Sequence, residues 1–223
     1  MPDSTDLASS GSTLLSPPQT PERSQTERDI IGAAASVFAE KGIAATRVED
    51  LLEAAGVSRR TFYKYFGSKI DALSALYDLA TEMLVSAINA AVQNSEPGVA
   101  RARAAIGAYL EYHSAAPALL RVLQPEAMRG DSPLFDKRRA VQRQLIALFD
   151  REVRTTQGRA VDAWVFRGLL LSLEGLSMHL LESTDCAPED LSRANAVMAA
   201  LVENVLALPG DDATALPLAE RQG

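Results

Sequence analysis

The sequence predicts an all-α fold for residues 23 to 208. Apolar side chains recur along this stretch at steps of three and four residues, which is the period of one face of an α-helix. We find no segment in which apolar and polar residues alternate as they do in a half-buried strand, and no internal repeat. The apolar runs are also bounded by residues that begin or end helices, with Ser or Pro before them and Gly or Pro after them.

Four helices are expected in the N-terminal part of this region. Their spans are Ile30 to about Gly42, Val48 to Ala55, Arg59 to about Phe66, and Lys69 to about Gln93. Gly42, Gly56 and Gly67 follow the first three, and glycine is common just after a helix because it adopts the left-handed conformation without strain. We expect Thr46 to cap the second helix, with Glu49 as its partner in a capping box.

Five further helices are expected in the C-terminal part, over about 99–114, 118–128, 133–155, 161–183 and 188–208. The chain is therefore divided into a tail over 1–22, a helical domain over 23–77, a larger helical domain over 78–208 and a second tail over 209–223. Both tails have few large apolar residues, so they bury too little surface to offset the entropy of ordering. We expect them to be disordered.

The composition limits the classes of function that the protein can have. Apolar residues make up 47% of the 223 residues, which is enough for a core. The net charge of −7 and the pI of about 5.0 exclude an evenly basic surface that would coat a nucleic acid. Any binding to DNA must therefore depend on a local basic patch, because the field of the whole molecule repels phosphate.

The sequence favours a cytoplasmic protein without a membrane-bound segment. The one cysteine, Cys186, excludes an internal disulfide bond and a cysteine-based zinc finger, and this usage fits a reducing compartment. We see no basic start followed by an apolar run, so no signal peptide is expected. The most apolar stretch, 161–181, contains Asp162, Arg167 and Glu174, which favours a buried helix over a membrane span.

The short helix from Arg59 has two chemically different faces. Phe62 and Phe66 share one face, whereas Arg60, Tyr63 and Lys64 fall on the opposite face at about 100° per residue. The apolar face is suited to packing on the two preceding helices. The helix before it ends at a tight turn, so the two helices have the helix-turn-helix arrangement.

Basic residues are concentrated around this short helix. The segment from Ser58 to Lys69 contains four basic residues and no acidic residue. Lysine and arginine are the usual partners of DNA phosphates, and arginine also reads guanine in the major groove. At this point two interpretations stand: a DNA-binding face, and an ordinary surface helix whose charges are solvated.

Residues 46–69 read TRVEDLLEAAGVSRRTFYKYFGSK. This segment resembles the DNA-binding signature of the TetR family of transcriptional regulators. The shared motifs are Ala-Gly-Val-Ser, Thr-Phe-Tyr-x-Tyr-Phe and Ser-Lys, and they occur at the family's spacing. The resemblance covers about 23–77 and includes the preceding helix, which ends in Phe-Ala-Glu-Lys-Gly. Three positions differ, since the family commonly has Ile-Ala where this chain has Leu51-Leu52, and a small residue in place of Arg60.

The resemblance implies a homodimer that binds a palindromic DNA operator, most often as a repressor. It implies a helix-turn-helix DNA-binding domain over 23–77 and a C-terminal helical domain that dimerises and senses a small molecule. It also implies DNA contacts by seven residues, namely Thr46, Ser58, Arg59, Thr61, Tyr63, Lys64 and Lys69. We add Arg47 and Arg60 to this set because of their charge.

The last two helices are expected to form the dimer interface. The first of them carries Trp164, Val165 and Leu171 on different sides, and a helix that is apolar all round must be covered on all sides. The last helix is similarly apolar. A two-fold dimer would cover both in a four-helix interface, and the resemblance implies the same helices. The alternative is that both belong to the core of a monomer.

A ligand pocket is expected in the C-terminal domain. The candidate lining residues are aromatic, His, Met and Leu side chains, namely Tyr109, Tyr112, His113, Leu123, Met128, Phe135, Trp164 and Met178. This lining is mostly apolar, so we hypothesise a small hydrophobic effector whose polar end is oriented by Tyr or His. The alternative is that these side chains are ordinary core residues.

The sequence does not support catalytic or metal chemistry. It contains no Gly-rich phosphate loop, nucleophile elbow or His-rich zinc helix, so we expect no enzyme activity and no cofactor. His179, Glu182 and Cys186 have the spacing of a weak metal site, but the helix is expected to end before the cysteine, so no metal is expected. Two other functions remain open: a DNA-binding regulator without an effector, and an all-α protein-interaction module.

Overall fold

The structure is a computed structural model that describes residues 23–182 and 187–206. These residues form nine α-helices and no strand: α1 (Gln25–Ala45), α2 (Val48–Ala55), α3 (Arg59–Tyr65), α4 (Lys69–Gln93), α5 (Val99–Ala115), α6 (Pro117–Met128), α7 (Leu134–Gln157), α8 (Ala163–Glu182) and α9 (Pro188–Leu206). The all-α prediction is confirmed. The predictions for both tails and for Cys186 lie outside the described residues.

Most predicted helix ends agree with the structure to within two residues. The main difference is α1, which starts at Gln25 rather than near Ile30 because Ser24 caps it. The Ser24 hydroxyl accepts a hydrogen bond from the backbone N–H of Glu27, at 3.2 Å.

Of the three glycines expected at helix ends, Gly56 ends α2 in the left-handed conformation, with φ of 63°. Gly42 lies inside α1, where its φ of 74° kinks the helix three residues before its end. Gly67 follows Phe66, the C-cap of α3, without a positive φ.

The predicted cap of α2 is wrong by one residue. Arg47 is the N-cap, and its backbone N–H donates to the Asp50 carboxylate at 2.7 Å. Thr46 instead belongs to the end of α1, where its buried hydroxyl donates to the carbonyl oxygen of Gly42 at 2.7 Å. Glu49 lies three residues after Thr46, and Asp50 lies three residues after Arg47. The spacing alone therefore did not show which pair forms the capping box.

Helices α1 to α4 enclose an N-terminal core, the cluster of buried apolar side chains between Ile30 and Ala80. Phe38, Leu51 and Phe62 are completely buried at its centre. Three side chains from later in the chain, Leu123, Ala127 and Leu134, complete this core. The first two lie on α6 and the third begins α7, so the N-terminal core is closed partly by the C-terminal helices.

The C-terminal core is formed by the second half of α4, from Leu84 to Val92, with α5, α7, α8 and α9. Helix α4 therefore contributes to both cores. By length and composition it is also the one described helix apolar enough to cross a membrane. Ten of its residues are buried within the protein, and this packing accounts for its apolar composition.

Candidate DNA-binding interface and ligand cavity

A tight turn at Gly56 joins α2 to α3. The left-handed glycine reverses the chain, and the N–H of Val57 then donates to the carbonyl of Leu52 at 3.1 Å. Ser58 caps the next helix, because its hydroxyl accepts from the backbone N–H of Thr61 at 3.1 Å. Together these contacts set the direction in which α3 leaves the turn.

Helix α3 has the two faces that the sequence predicts. Phe62 and Phe66 are buried in the N-terminal core, with ring centroids 5.6 Å apart. Arg60, Tyr63 and Lys64 are exposed on the outer face, and 46% of the surface of Tyr63 is accessible. A side chain can therefore reach DNA from this helix without disturbing its packing.

The cations around α3 differ in how they are held. Arg59 forms an exposed ion pair with Glu49 of α2. The Lys64 ammonium lies 5.2 Å from the centre of the Tyr65 ring. Arg60 has no carboxylate partner among the described residues, and its side chain is exposed. Arg60 and Lys64 are thus the cations of α3 that need not break an ion pair to contact a phosphate or a base.

Lys69 has an internal role that the sequence did not predict. Its ammonium group donates to the carbonyl oxygens of Thr46, Ile43 and Ala44, at 2.6, 2.8 and 3.3 Å. These carbonyls lie at the end of α1 and in the link to α2, where the helix leaves them without intrahelical donors. Lys69 therefore joins the start of α4 to the end of α1.

The nine residues predicted to bind DNA fall into two groups. Six are exposed and one is half-buried, all at the start of α2 or on α3 and its cap: Arg47, Ser58, Arg59, Arg60, Thr61, Tyr63 and Lys64. The other two are Thr46 and Lys69, which make the internal hydrogen bonds described above. A free phosphate would have to compete with those bonds.

A cavity of about 60 Å³ lies in the C-terminal part, between α4, α5, α6, α7 and α8. Four of the eight predicted pocket residues line it, namely Tyr109, Tyr112, His113 and Leu123. The other four, Met128, Phe135, Trp164 and Met178, do not. Trp164 is 75% exposed on α8, where the Arg167 guanidinium lies 5.4 Å from its ring.

One wall of the cavity is polar, which the sequence analysis missed. The Glu174 carboxylate accepts hydrogen bonds from Arg138 at 2.5 Å and from Gln142 at 2.9 Å. Arg138 and Gln142 are four residues apart on the face of α7 that also carries Leu145. Polar residues in register with buried leucines were the signal that could have identified this wall.

The remaining polar groups of the cavity are kept uncharged by burial. Burial lowers the pKa of His113, whose ring stacks on Tyr109 with centroids 4.2 Å apart. The Nδ1 atom of His113 lies 2.7 Å from the Tyr109 carbonyl oxygen and so carries the proton. Burial also raises the pKa of Tyr112 to about 12, and its hydroxyl donates to the carbonyl of Ala80.

The weak metal candidate is not assembled in the described part of the chain. His179 and Glu182 approach each other at 3.6 Å on an exposed surface, and Cys186 lies outside the described residues. The described residues contain no group of three side chains able to hold a metal ion.

Comparison with known proteins identifies the N-terminal helices. Residues 30–76 match the family model for "Bacterial regulatory proteins, tetR family". The chain is 28% identical to the transcriptional activator FasR of Mycolicibacterium smegmatis over 90 residues, which are 40% of this chain and 41% of that protein. It is 39% identical to the transcriptional regulator TtgR of Pseudomonas putida over 57 residues, 26% of this chain and 27% of that one. The matches therefore span less than half of each relative.

Solved structures share the fold beyond this segment. The fatty acid degradation regulator FadR of Bacillus halodurans superposes with a TM-score of 0.70 at 21% identity, covering 82% of this chain and 97% of that chain. FadR of Bacillus subtilis, in complex with stearoyl-CoA, superposes with a TM-score of 0.68 at 19% identity, and the match covers 78% of this chain and 97% of that chain. At these identities the agreement concerns the fold, with its N-terminal helix-turn-helix and C-terminal helical domain.

Replacing Lys69 by Met should destabilise the protein, because the carbonyls at the end of α1 lose a charged donor. We expect the free energy of unfolding to fall by about 1.5–3 kcal/mol, the usual contribution of hydrogen bonds to a charged group. Urea unfolding followed by circular dichroism measures the change. Lys64→Met is the matched control, and its effect should stay within about 0.5 kcal/mol as for other surface positions. Equal effects of the two substitutions would contradict the internal role of Lys69.

Proposed function

We propose, from the premise that residues 30–76 belong to the TetR family of bacterial regulators, that this protein is a cytoplasmic transcriptional repressor. In this proposal a homodimer binds a palindromic operator in duplex DNA and is released by a small, mostly apolar effector. The curated relatives that match are named as regulators of transcription and not as enzymes.

The outer face of α3 is the observation that carries the DNA-binding part of the proposal. Two buried phenyl rings hold the helix, and a phenol and two cations without a described carboxylate partner point away from the protein. A helix of about this length fits the major groove of B-DNA with its N-terminal residues against base edges. In a protein of net charge −7, this localised patch is where phosphate can approach.

We assign different roles to the residues of this surface. Hydroxyl and ammonium groups are suited to phosphate oxygens, and contacts with phosphate set the register of a protein on the duplex. The residues that carry these groups here are Ser58, Thr61, Tyr63 and Lys64. Arg60 is the candidate for reading a base, because its fork of donors matches the two acceptors of guanine. Arg47 and Arg59 lie at the starts of α2 and α3 as further phosphate contacts. Thr46 and Lys69 support this surface from inside.

Substituting Lys64 and Arg60 one at a time should distinguish binding to any DNA duplex from preferential binding to the operator. Lys64→Ala should weaken binding to every duplex and reduce the slope of log affinity against log salt concentration by about 1, because one phosphate contact is lost. Arg60→Ala should cost about 1–3 kcal/mol on the operator and relax base preference at one position in each half-site.

Fluorescence anisotropy with labelled operator and with unrelated duplexes, at several salt concentrations, measures both effects. Arg143→Ala on α7 is the matched control, since it removes an exposed arginine far along the chain from α3. An unchanged salt slope for Lys64→Ala, or an equal loss on all sequences for Arg60→Ala, would contradict the assigned roles.

The exposed faces of α8 and α9 support the proposed homodimer. Trp164 and Leu171 lie one above the other on the outer face of α8, and Val197 and Val205 are exposed on α9. Apolar side chains of this size on two neighbouring helices are typical of a surface that a second subunit covers. A two-fold axis here would bring the same four side chains from both subunits together. It would also pair two α3 helices for half-sites about 34–36 Å apart.

The substitution Leu171→Arg should disrupt the dimer, because it places two like charges near the two-fold axis. We expect monomers in sedimentation velocity and a large loss of operator affinity with retained helix content. The matched control is Met83→Arg on α4, since that side chain is also apolar and is 57% exposed but lies on a different helix. A dimer that survives Leu171→Arg would move the interface elsewhere.

Helix α6 gives the cavity a route to the DNA-binding helices. Leu123 and Ala127 line the cavity and also belong to the N-terminal core, and α6 packs against α1. A ligand that displaces α6 would therefore shift α1 and change the separation of the two α3 helices. Such a ligand lowers operator affinity by as much as it prefers the displaced arrangement.

Two alternatives are distinguished by binding assays. An all-α interaction module would not bind duplex DNA, whereas a regulator binds it with an affinity that falls steeply as salt rises. A regulator without an effector would keep its operator affinity in the presence of every ligand. Selection of bound fragments from the host genome would provide the operator, and transcription from the neighbouring promoter with and without the protein decides between repression and activation.

A further inference from the structure

The polar wall of the cavity carries no net charge. Arg138 is compensated by Glu174 through a direct ion pair, and Gln142 adds a neutral amide to the same carboxylate. The other titratable groups facing the cavity are His113, whose pKa is lowered by burial, and tyrosines, whose pKa values are raised by burial. All of these are uncharged at neutral pH, so the wall offers no excess charge to an ion.

Two buried atoms of residues that line the cavity lack hydrogen-bond partners within the part of the chain that the structure describes. One is Nε of Arg138, which is a donor, and the other is Oε1 of Gln124, which is an acceptor. Both residues line the cavity. Each of these side chains makes one hydrogen bond through another atom: Gln124 Nε2 donates to the Ser177 hydroxyl at 3.2 Å, and Arg138 Nη2 donates to Glu174.

Unpartnered buried polar atoms are rare, because each costs the free energy of desolvation without a compensating bond. A donor and an acceptor in the lining of one cavity can be satisfied together by a group that both accepts and donates. The remaining lining is mostly apolar and includes Leu84, Leu120 and Leu145. This lining suits a hydrocarbon body, and a body longer than the cavity of about 60 Å³ can hold has to displace α6.

We propose that the effector has an apolar body and an uncharged head group that accepts from Arg138 and donates to Gln124, as a primary amide or an alcohol does. This inference rests on the proposed function, in which the cavity holds the effector. A carboxylate is disfavoured for two reasons. It has no proton to donate to Gln124, and it would bring an uncompensated negative charge next to Glu174 in a buried site.

A ligand series of one chain length tests the head group. We would measure the affinity of the full-length protein for octanamide, octan-1-ol, octanoate and N,N-dimethyloctanamide by calorimetry at pH 8, and their release of bound operator by anisotropy. Octanamide and octan-1-ol should bind about tenfold or more tightly than octanoate, a ratio that corresponds to about 1.4 kcal/mol. The dimethyl amide accepts but cannot donate, so it should bind more weakly than octanamide.

Two substitutions assign the effect to the named atoms. Gln124→Leu removes the free acceptor and should eliminate the preference for octanamide over its dimethyl form. Glu174→Gln leaves Arg138 uncompensated and should reverse the preference, so that octanoate binds more tightly than octanamide. Glu111→Gln, an exposed carboxylate on α5, is the matched control and should leave the series unchanged. Circular dichroism checks that each variant folds, and the series on the unsubstituted protein decides the question if one does not.

The outcomes separate this inference from the proposed function. Equal affinity for all four ligands, or tighter binding of octanoate by the unsubstituted protein, would overturn the uncharged head group while the cavity remains an effector site. Failure of all four to bind or to release operator would overturn the effector site itself, and this inference with it.

Discussion

Burial of Phe62 and Phe66 is the interaction on which the proposed DNA-binding surface depends. Helix α3 has seven residues, and so short a helix is not stable by itself in water. Its stability comes from packing its phenyl rings into the N-terminal core, and this packing also determines its rotation about its own axis. Because Arg60, Tyr63 and Lys64 lie opposite the rings, the same burial presents them to solvent.

The two cores are not independent of each other. Helix α4 contributes side chains to both, and α6 places Leu123 and Ala127 in the N-terminal core while the same residues line the cavity. Close-packed interiors transmit displacement because they contain few voids that can absorb it. A change in the cavity therefore has a direct mechanical route to the helices around α3, and the proposed effector need not contact DNA.

The cavity combines apolar walls with a buried ion pair, and this combination has a physical consequence. Two opposite charges that neutralise each other inside the protein attract a further ion only weakly. The donors that the pair leaves unused still favour a polar partner. Glu174 thus sets the polarity of the site as much as Arg138 does. The sequence analysis expected a mostly apolar lining, and the cavity has leucines in its walls together with polar residues of α7 and α8, where the sequence pattern places polar residues on a buried face.

The sequence by itself determined the helices, the faces of α3 and the likeness of residues 46–69 to a known DNA-binding signature, because periodicity, caps and turn glycines act within a few residues of one another. Only the tertiary structure decided which partners distant residues find. It placed Lys69 on the carbonyls at the end of α1, Arg138 on Glu174, and Trp164 on the outer surface instead of in the cavity. The two contacts join residues 23 to 36 positions apart, and the exposure of Trp164 depends on which side of α8 faces solvent. Local pattern carries no information on either, since both depend on how whole helices pack.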